Sequence, residues 1–150
     1  MTTKAAIDRF VEARTLAMVG VSASGKGFGS SAYKELKARG YRVLPVHPAA
    51  PSVQGDACSR SLADLPERVE NLLVVLPPDA AEKLVREAAA AGIRRVWLQQ
   101  GAESPAVIKA CEEQGLEVVH GQCILMFAGT TGGIHRFHRW LWGLLGKIPS

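Results

Sequence analysis

The stretch LAMVGVSASGKG, Leu16 to Gly27, joins a short apolar run to a glycine- and serine-rich bend. Successive apolar residues from Leu16 to Val19 read as a strand buried on both faces, because a half-solvated strand would alternate. The bend comes within one residue of the phosphate-binding pattern G-x-x-x-x-G-K-[ST], filled at Gly20, Gly25 and Lys26. Its last position is Gly27, which has no hydroxyl for a magnesium ion. A strand ending in a metal-binding carboxylate is also missing, since Asp79 of LLVVLPPD falls inside the next helix. Nucleotide hydrolysis therefore rests on the near-match alone. The dinucleotide pattern G-x-G-x-x-G would need glycine where Ser22 stands. What survives is a strand, a Gly/Ser-rich turn and a helix, whose backbone donors and positive end suit an anion without any metal.

Further apolar runs read as strands: RVLPV (Arg42 to Val46), LLVVLP (Leu72 to Pro77), RVWLQ (Arg95 to Gln99) and LEVVH (Leu116 to His120). Helices fall between them. Thr3 caps Lys4 to Ala13, and Ser30 to Arg39 ends at Gly40. Pro78 to Ala91 carries Ala81, Leu84, Val85 and Ala88 on one face and ends at Gly92; Ser104 caps a helix that has Pro105 first and ends at Gly115. The alternation predicts an α/β fold: a three-layer, Rossmann-like, doubly wound parallel sheet of about five strands. The expected order is 3-2-1-4-5, with the ligand at the carboxyl ends of the strands. The turn-rich connection from His47 to Pro66 has room for one short extra strand near Val53 to Cys58.

At 150 residues the chain suits one domain, and its net charge of +4 suits a small anionic ligand. No basic run with interleaved aromatics suggests nucleic acid, and no window of about 20 apolar residues suggests a transmembrane segment. The N-terminus has no apolar signal region, and Cys58, Cys111 and Cys123 have no C-x-x-C spacing, so a reducing cytoplasm is expected. Residues 1–128 are expected to form the domain, and 129–150 an apolar C-terminal helical extension. Its stripe of Ile134, Phe137, Trp140, Leu141, Trp142, Leu144, Leu145 and Ile148 is too wide for a free helix in water. It is expected to pack on the domain or on a second copy as a homodimer, with a membrane surface as the further option. His135 and His138 are spaced i, i+3 with no nearby carboxylate, so with His120 they give no metal site. Glu103, Glu112 and Glu113 read as helix-surface charges. Cys111 reads as core, and Cys123 as a sheet-edge packing residue or a partner for a mixed disulfide with a thiol ligand. No catalytic base stands out, and no catalytic or metal-binding residue is assigned.

GVSAS follows the first strand, YRVLPVHP spans the second, and VVLPPD, WLQQGAES and VHGQC end the other three. Together these motifs resemble the small bacterial CoA-binding domain proteins, and the CoA-binding domain of the succinyl-CoA synthetase α subunit, over roughly Ala13 to Cys123. The resemblance implies that the first turn, at Gly20, Ser22, Ala23, Ser24 and Lys26, holds the CoA phosphates. It implies that Val46, His47 and Pro48 line the nucleotide side, and that Leu76, Pro77, Gln99, Gln100 and Gly101 flank the pantetheine arm. The synthetase pattern has a lysine after its V-x-P; here Ala49 and Ala50 stand instead, with Lys26, Lys34 and Arg60 as possible substitutes. The synthetase also carries a second domain with a phosphorylated histidine, so its ligase activity is not expected to carry over. The implied function is binding of CoA or an acyl-CoA. The alternative is an NADP-binding enzyme or redox sensor, which the missing carboxylate in VHPAA, Val46 to Ala50, also suits.

Overall fold

A computed structural model describes residues 2–129. The expected apolar helix and its His135 and His138 lie outside the described residues. The chain runs α1 (Lys4–Glu12), β1 (Thr15–Val19), α2 (Phe28–Ala38), β2 (Arg42–Val46), β3 (Ser52–Val53), β4 (Asp56–Ala57), β5 (Asn71–Val74), α3 (Pro78–Val85), β6 (Arg95–Leu98), α4 (Pro105–Glu113) and β7 (Glu117–His120). The side chains of Thr3 and Ser104 cap α1 and α4 as expected, accepting from the N–H groups of Ala6 and Val107. The extra strand near Val53 is one arm of the small antiparallel hairpin β3–β4.

The five long strands are parallel and lie in the order β2-β1-β5-β6-β7. The fold is the expected Rossmann-like α/β class, but the order among the long strands is 2-1-3-4-5 and not 3-2-1-4-5. Pro45 supplies the physical reason. On the side of β2 away from β1, His47 N–H donates to Ser59 O and Pro45 O accepts from Ser59 N–H. The nitrogen of Pro45, which has no hydrogen, faces that same side. A full strand paired there would lose a ladder bond, so β2 sits at the edge and the third long strand pairs with β1 on its other side.

Alternate residues of each buried strand serve opposite layers. Leu16 and Met18 pack with Phe10 of α1 and Leu36 of α2; Ala17 and Val19 join the cluster that holds Val85 of α3 and Val107 of α4. Trp97 is fully buried in the first cluster, donates to Gln122 O at 3.0 Å, and has Phe10 and Phe127 at ring-centroid distances of 5.3 and 6.0 Å. Buried Asn71 donates to Phe10 O at 2.9 Å, tying α1 to the amino end of β5.

The helix expected over Pro78 to Ala91 is divided: α3 stops at Val85, and a 3-10 turn spans Ala89–Ala91. The side chain of Gln114 lies in the gap. Its Oε1 accepts from Ala89 N–H at 3.1 Å and its Nε2 donates to Val85 O at 2.5 Å. Those two backbone groups would otherwise bond each other in a continuous α-helix, so the inserted amide breaks the ladder.

Candidate functional site

The chain turns away from β1 at Gly20, and the turn is latched from within by Ser22. The Ser22 Oγ donates to Lys26 O at 2.6 Å, accepts from Lys26 N–H at 3.1 Å, and lies 2.9 Å from Ser30 Oγ. The Ser22 N–H donates to Ser30 Oγ at 3.2 Å, and Ser22 O accepts from Gly25 N–H at 3.3 Å. Ser22 and Ser30 therefore shape the bend, while Ala23, Ser24 and Lys26 are exposed along it. α2 opens at Phe28, two residues before the expected start, with Gly27 at the N-cap and no side-chain cap hydrogen bond. Its first-turn N–H groups and the positive end of its dipole face the bend.

Two close backbone approaches fix this geometry. Gly20 has φ +117°, and a β-carbon there would stand 2.0 Å from Val75 O; at Gly29 it would meet the Gly20 carbonyl oxygen as closely. Glycine is thus required where β1, β5 and α2 converge. The first crossover leaves β1 towards β2 and the chain returns to β5 on the other side, so this is also the switch point of the sheet, where ligands bind in such folds.

Across that junction a cleft of about 420 Å³ is lined by Val75, Leu76, Pro77, Gln99, Gln100 and Gly101 with their neighbours. All five residues expected beside a pantetheine arm line it together. They are not alike, however. Gln99 is 3% exposed and its Oε1 accepts from Ile124 N–H at 3.0 Å, so its amide already holds the 3-10 turn Ile124–Met126. Gln100 is exposed, and its Nε2 reaches Gly121 O at 3.4 Å.

Val46, His47 and Pro48 stand at the end of β2, on the far side of β1, and do not line this cleft. The Val46 side chain is buried in the core. His47 is half-buried, and its Nδ1 accepts from Ala49 N–H at 3.1 Å and Ala50 N–H at 2.8 Å. The ring hydrogen therefore sits on Nε2, leaving a donor for a ligand.

The sequence reading missed the hairpin as part of this neighbourhood. Gln54 Nε2 donates to Ser30 O at 2.9 Å, and Asp56 accepts from Tyr33 Oη and Lys37 Nζ. These contacts clip β3–β4 onto α2. The hydrogen bonds from Lys37 and Tyr33 hold the Asp56 carboxyl below its usual range, while burial and then the Asp56 bond push the Tyr33 hydroxyl up. A tyrosine and a lysine one turn apart on α2, matched by an acidic residue in the following connection, were the available signal.

Cys111 is buried, and burial pushes its thiol up to about 12. Cys123 is half-buried and does not line the cleft. Glu103, expected as a helix-surface charge, instead has its Oε2 buried with no hydrogen-bond partner among the described residues. Among those residues no group of three or more His, Cys, Asp or Glu could hold a metal ion, and no helix is long and apolar enough to cross a membrane.

A parallel sheet flanked by helices, with a glycine-shaped turn at its switch point, defines a Rossmann-like α/β protein. Within that class the chain belongs to the CoA binding domain family, which matches residues 14–128. It is 23% identical over 129 residues to the acetate–CoA ligase [ADP-forming] II subunit alpha of Pyrococcus furiosus, covering 79% of this chain and 28% of that protein. It thus spans under a third of that relative's length. Among solved structures it resembles a conserved hypothetical protein from Pyrococcus furiosus, with 36% identity, a TM-score of 0.71, and coverage of 75% of this chain and 97% of that one. A hypothetical protein from Pyrococcus horikoshii gives 27% identity and a TM-score of 0.77, over 94% and 93% of the two chains.

Proposed function

We propose that this protein binds CoA or an acyl-CoA, with the phosphates at the Gly20–Lys26 bend and the pantetheine arm in the cleft between Leu76 and Gly101. The observation that carries this reading is the join at Gly20 and Val75, which sets an uncapped helix end beside a cleft that contains Val75 itself. Diphosphate oxygens suit the free N–H groups of α2 and the charge of Lys26. The narrow, neutral pantetheine arm suits a cleft of Leu, Pro and Gly with an exposed Gln100. His47 Nε2–H serves the nucleotide side across β1, in place of the lysine that Ala49 and Ala50 lack. Membership of the CoA binding domain family supports the ligand class. The role is that of a cytoplasmic carrier, sensor or regulatory module with no assigned catalysis, and a homodimer through the C-terminal segment belongs to the same proposal.

The test follows thermal unfolding with CoA, acetyl-CoA, NAD, NADP and ATP–magnesium added singly. Ligand at about 100 times its dissociation constant adds roughly 2.7 kcal/mol of stability. CoA or acetyl-CoA should raise the midpoint and the others should not. Stabilisation by NADP without any by CoA would replace this reading with the NADP-linked one.

A further inference from the structure

At the opposite end of the sheet, the amino ends of β6 and β7 open on a second cleft, of about 460 Å³. Arg9, Arg68, Arg94 and Arg95 line it, and Glu117 is the one carboxylate among its lining residues. Arg9 is satisfied by Glu117, with its Nε donating to Oε1 at 2.9 Å and its Nη2 to Oε2 at 2.5 Å. Arg94 reaches Glu70 at 3.4 Å through Nε, and Arg95 gives only Nη1 to Asn71 Oδ1, at 3.1 Å. Arg68 is exposed and has no hydrogen bond or ion pair among the described residues.

The backbone of this cleft has little left to offer. The N–H groups of Gly92, Ile93, Arg94 and Arg95 all donate within the chain, as do those of Gly115, Leu116 and Glu117. The free donors are guanidinium groups, which are planar forks matched to paired oxygens. Repulsion among the arginines is only partly offset by Glu117 and Glu70, so an added multivalent anion gains from all of them.

We propose that this arginine-lined cleft is a second binding site, for a small multivalent oxyanion, separate from the bend at the strands' carboxyl ends. Arg68 and Arg95 grip the oxygens, Arg94 adds charge, and the Arg9–Glu117 pair forms a fixed wall.

Titration calorimetry with inorganic pyrophosphate, at about 150 mM salt so that unspecific attraction is screened, tests this. Wild-type protein should bind saturably. Arg68→Ala should weaken binding roughly tenfold or more, the worth of a lost charge-assisted contact. Arg68→Lys keeps the charge but not the fork and should weaken it several-fold, with an unchanged unfolding midpoint. Lys26→Glu, at the other end of the sheet, weakens any pyrophosphate held at the bend, so the binding that survives in this variant, and falls when Arg68→Ala is added, belongs to the arginine cleft. Three results would each overturn the proposal: no saturable binding by the wild type, affinity indifferent to both Arg68 variants, or binding abolished by Lys26→Glu.

Discussion

A β-carbon added to Gly29 would stand 2.0 Å from the carbonyl oxygen of Gly20, so the first turn of α2 rests on the end of β1 backbone to backbone. Neither partner is a flexible side chain that could swing away. Gly29→Ala should therefore cost about 2–3 kcal/mol of stability through forced backbone displacement. Gly25→Ala is the control: Gly25 has φ +77° with nothing within 4 Å of the added carbon, so it meets only conformational strain of about 1 kcal/mol. Urea denaturation of both variants checks this; equal midpoints would show that the contact yields easily.

Lys26 is exposed and lies on the bend without supporting the core. Lys26→Glu should leave the unfolding midpoint of the unliganded protein unchanged and weaken CoA by roughly 10–100-fold, the range of a lost charge-assisted contact plus new repulsion. Calorimetry reads this directly, and unaltered affinity would remove Lys26 from the site.

Gln99 and Gln100 are neighbours in one cleft with different duties. Gln99→Leu strands the buried N–H of Ile124 and should cost about 1–3 kcal/mol of stability. Gln100→Ala should cost almost nothing in stability, because its side chain is exposed, yet weaken CoA binding. Measuring unfolding and affinity for both variants would reveal a reversed assignment at once.

Asp56 clips the hairpin to α2, and its carboxyl lies below the aspartate reference of 3.8 because of the hydrogen bonds from Lys37 and then Tyr33. A lowered folded pKa contributes stability above the unfolded value, and that contribution disappears as pH falls through the folded one. Wild type should therefore exceed Asp56→Asn in urea resistance at neutral pH, with the gap closing below about pH 4. A constant gap from neutral pH to about pH 3 would assign the effect to something other than this carboxylate.

Alkylation separates the cysteines. With its thiol pushed up to about 12 by burial, Cys111 should resist iodoacetamide in the native protein, while half-buried Cys58 and Cys123 react first. Mass spectrometry would locate the label, and all three should react in urea. Early labelling of Cys111 would contradict its place on the buried face of α4.

Much of this was legible locally. Runs such as Leu16 to Val19 announced strands buried on both faces, and Ser104–Pro105 announced a helix start, because each signal and its effect lie within a few residues. Pro45 marked the edge strand equally plainly, but the expected order ignored what a missing N–H means for pairing. The bend was readable as a glycine- and serine-rich turn between strand and helix from Gly20 and Ser22, whereas the need for Gly29 was not, since its reason is a carbonyl across the helix–strand contact. The end of α3 was hidden for a related cause: Gln114, which takes over Val85 O and Ala89 N–H, lies 25 residues beyond Ala89 in the chain. Gln99 was readable as a residue of the cleft, but the sequence does not show that Ile124 returns to bond its amide oxygen.

The backbone contacts at Gly20 and Gly29 also divide the loop into parts with different freedom to change. Ala23, Ser24 and Lys26 are exposed and lie outside the core, so a randomised library at these positions can be screened for altered nucleotide preference while the scaffold survives. The same library at positions 20 and 29 would return almost nothing but the starting glycines.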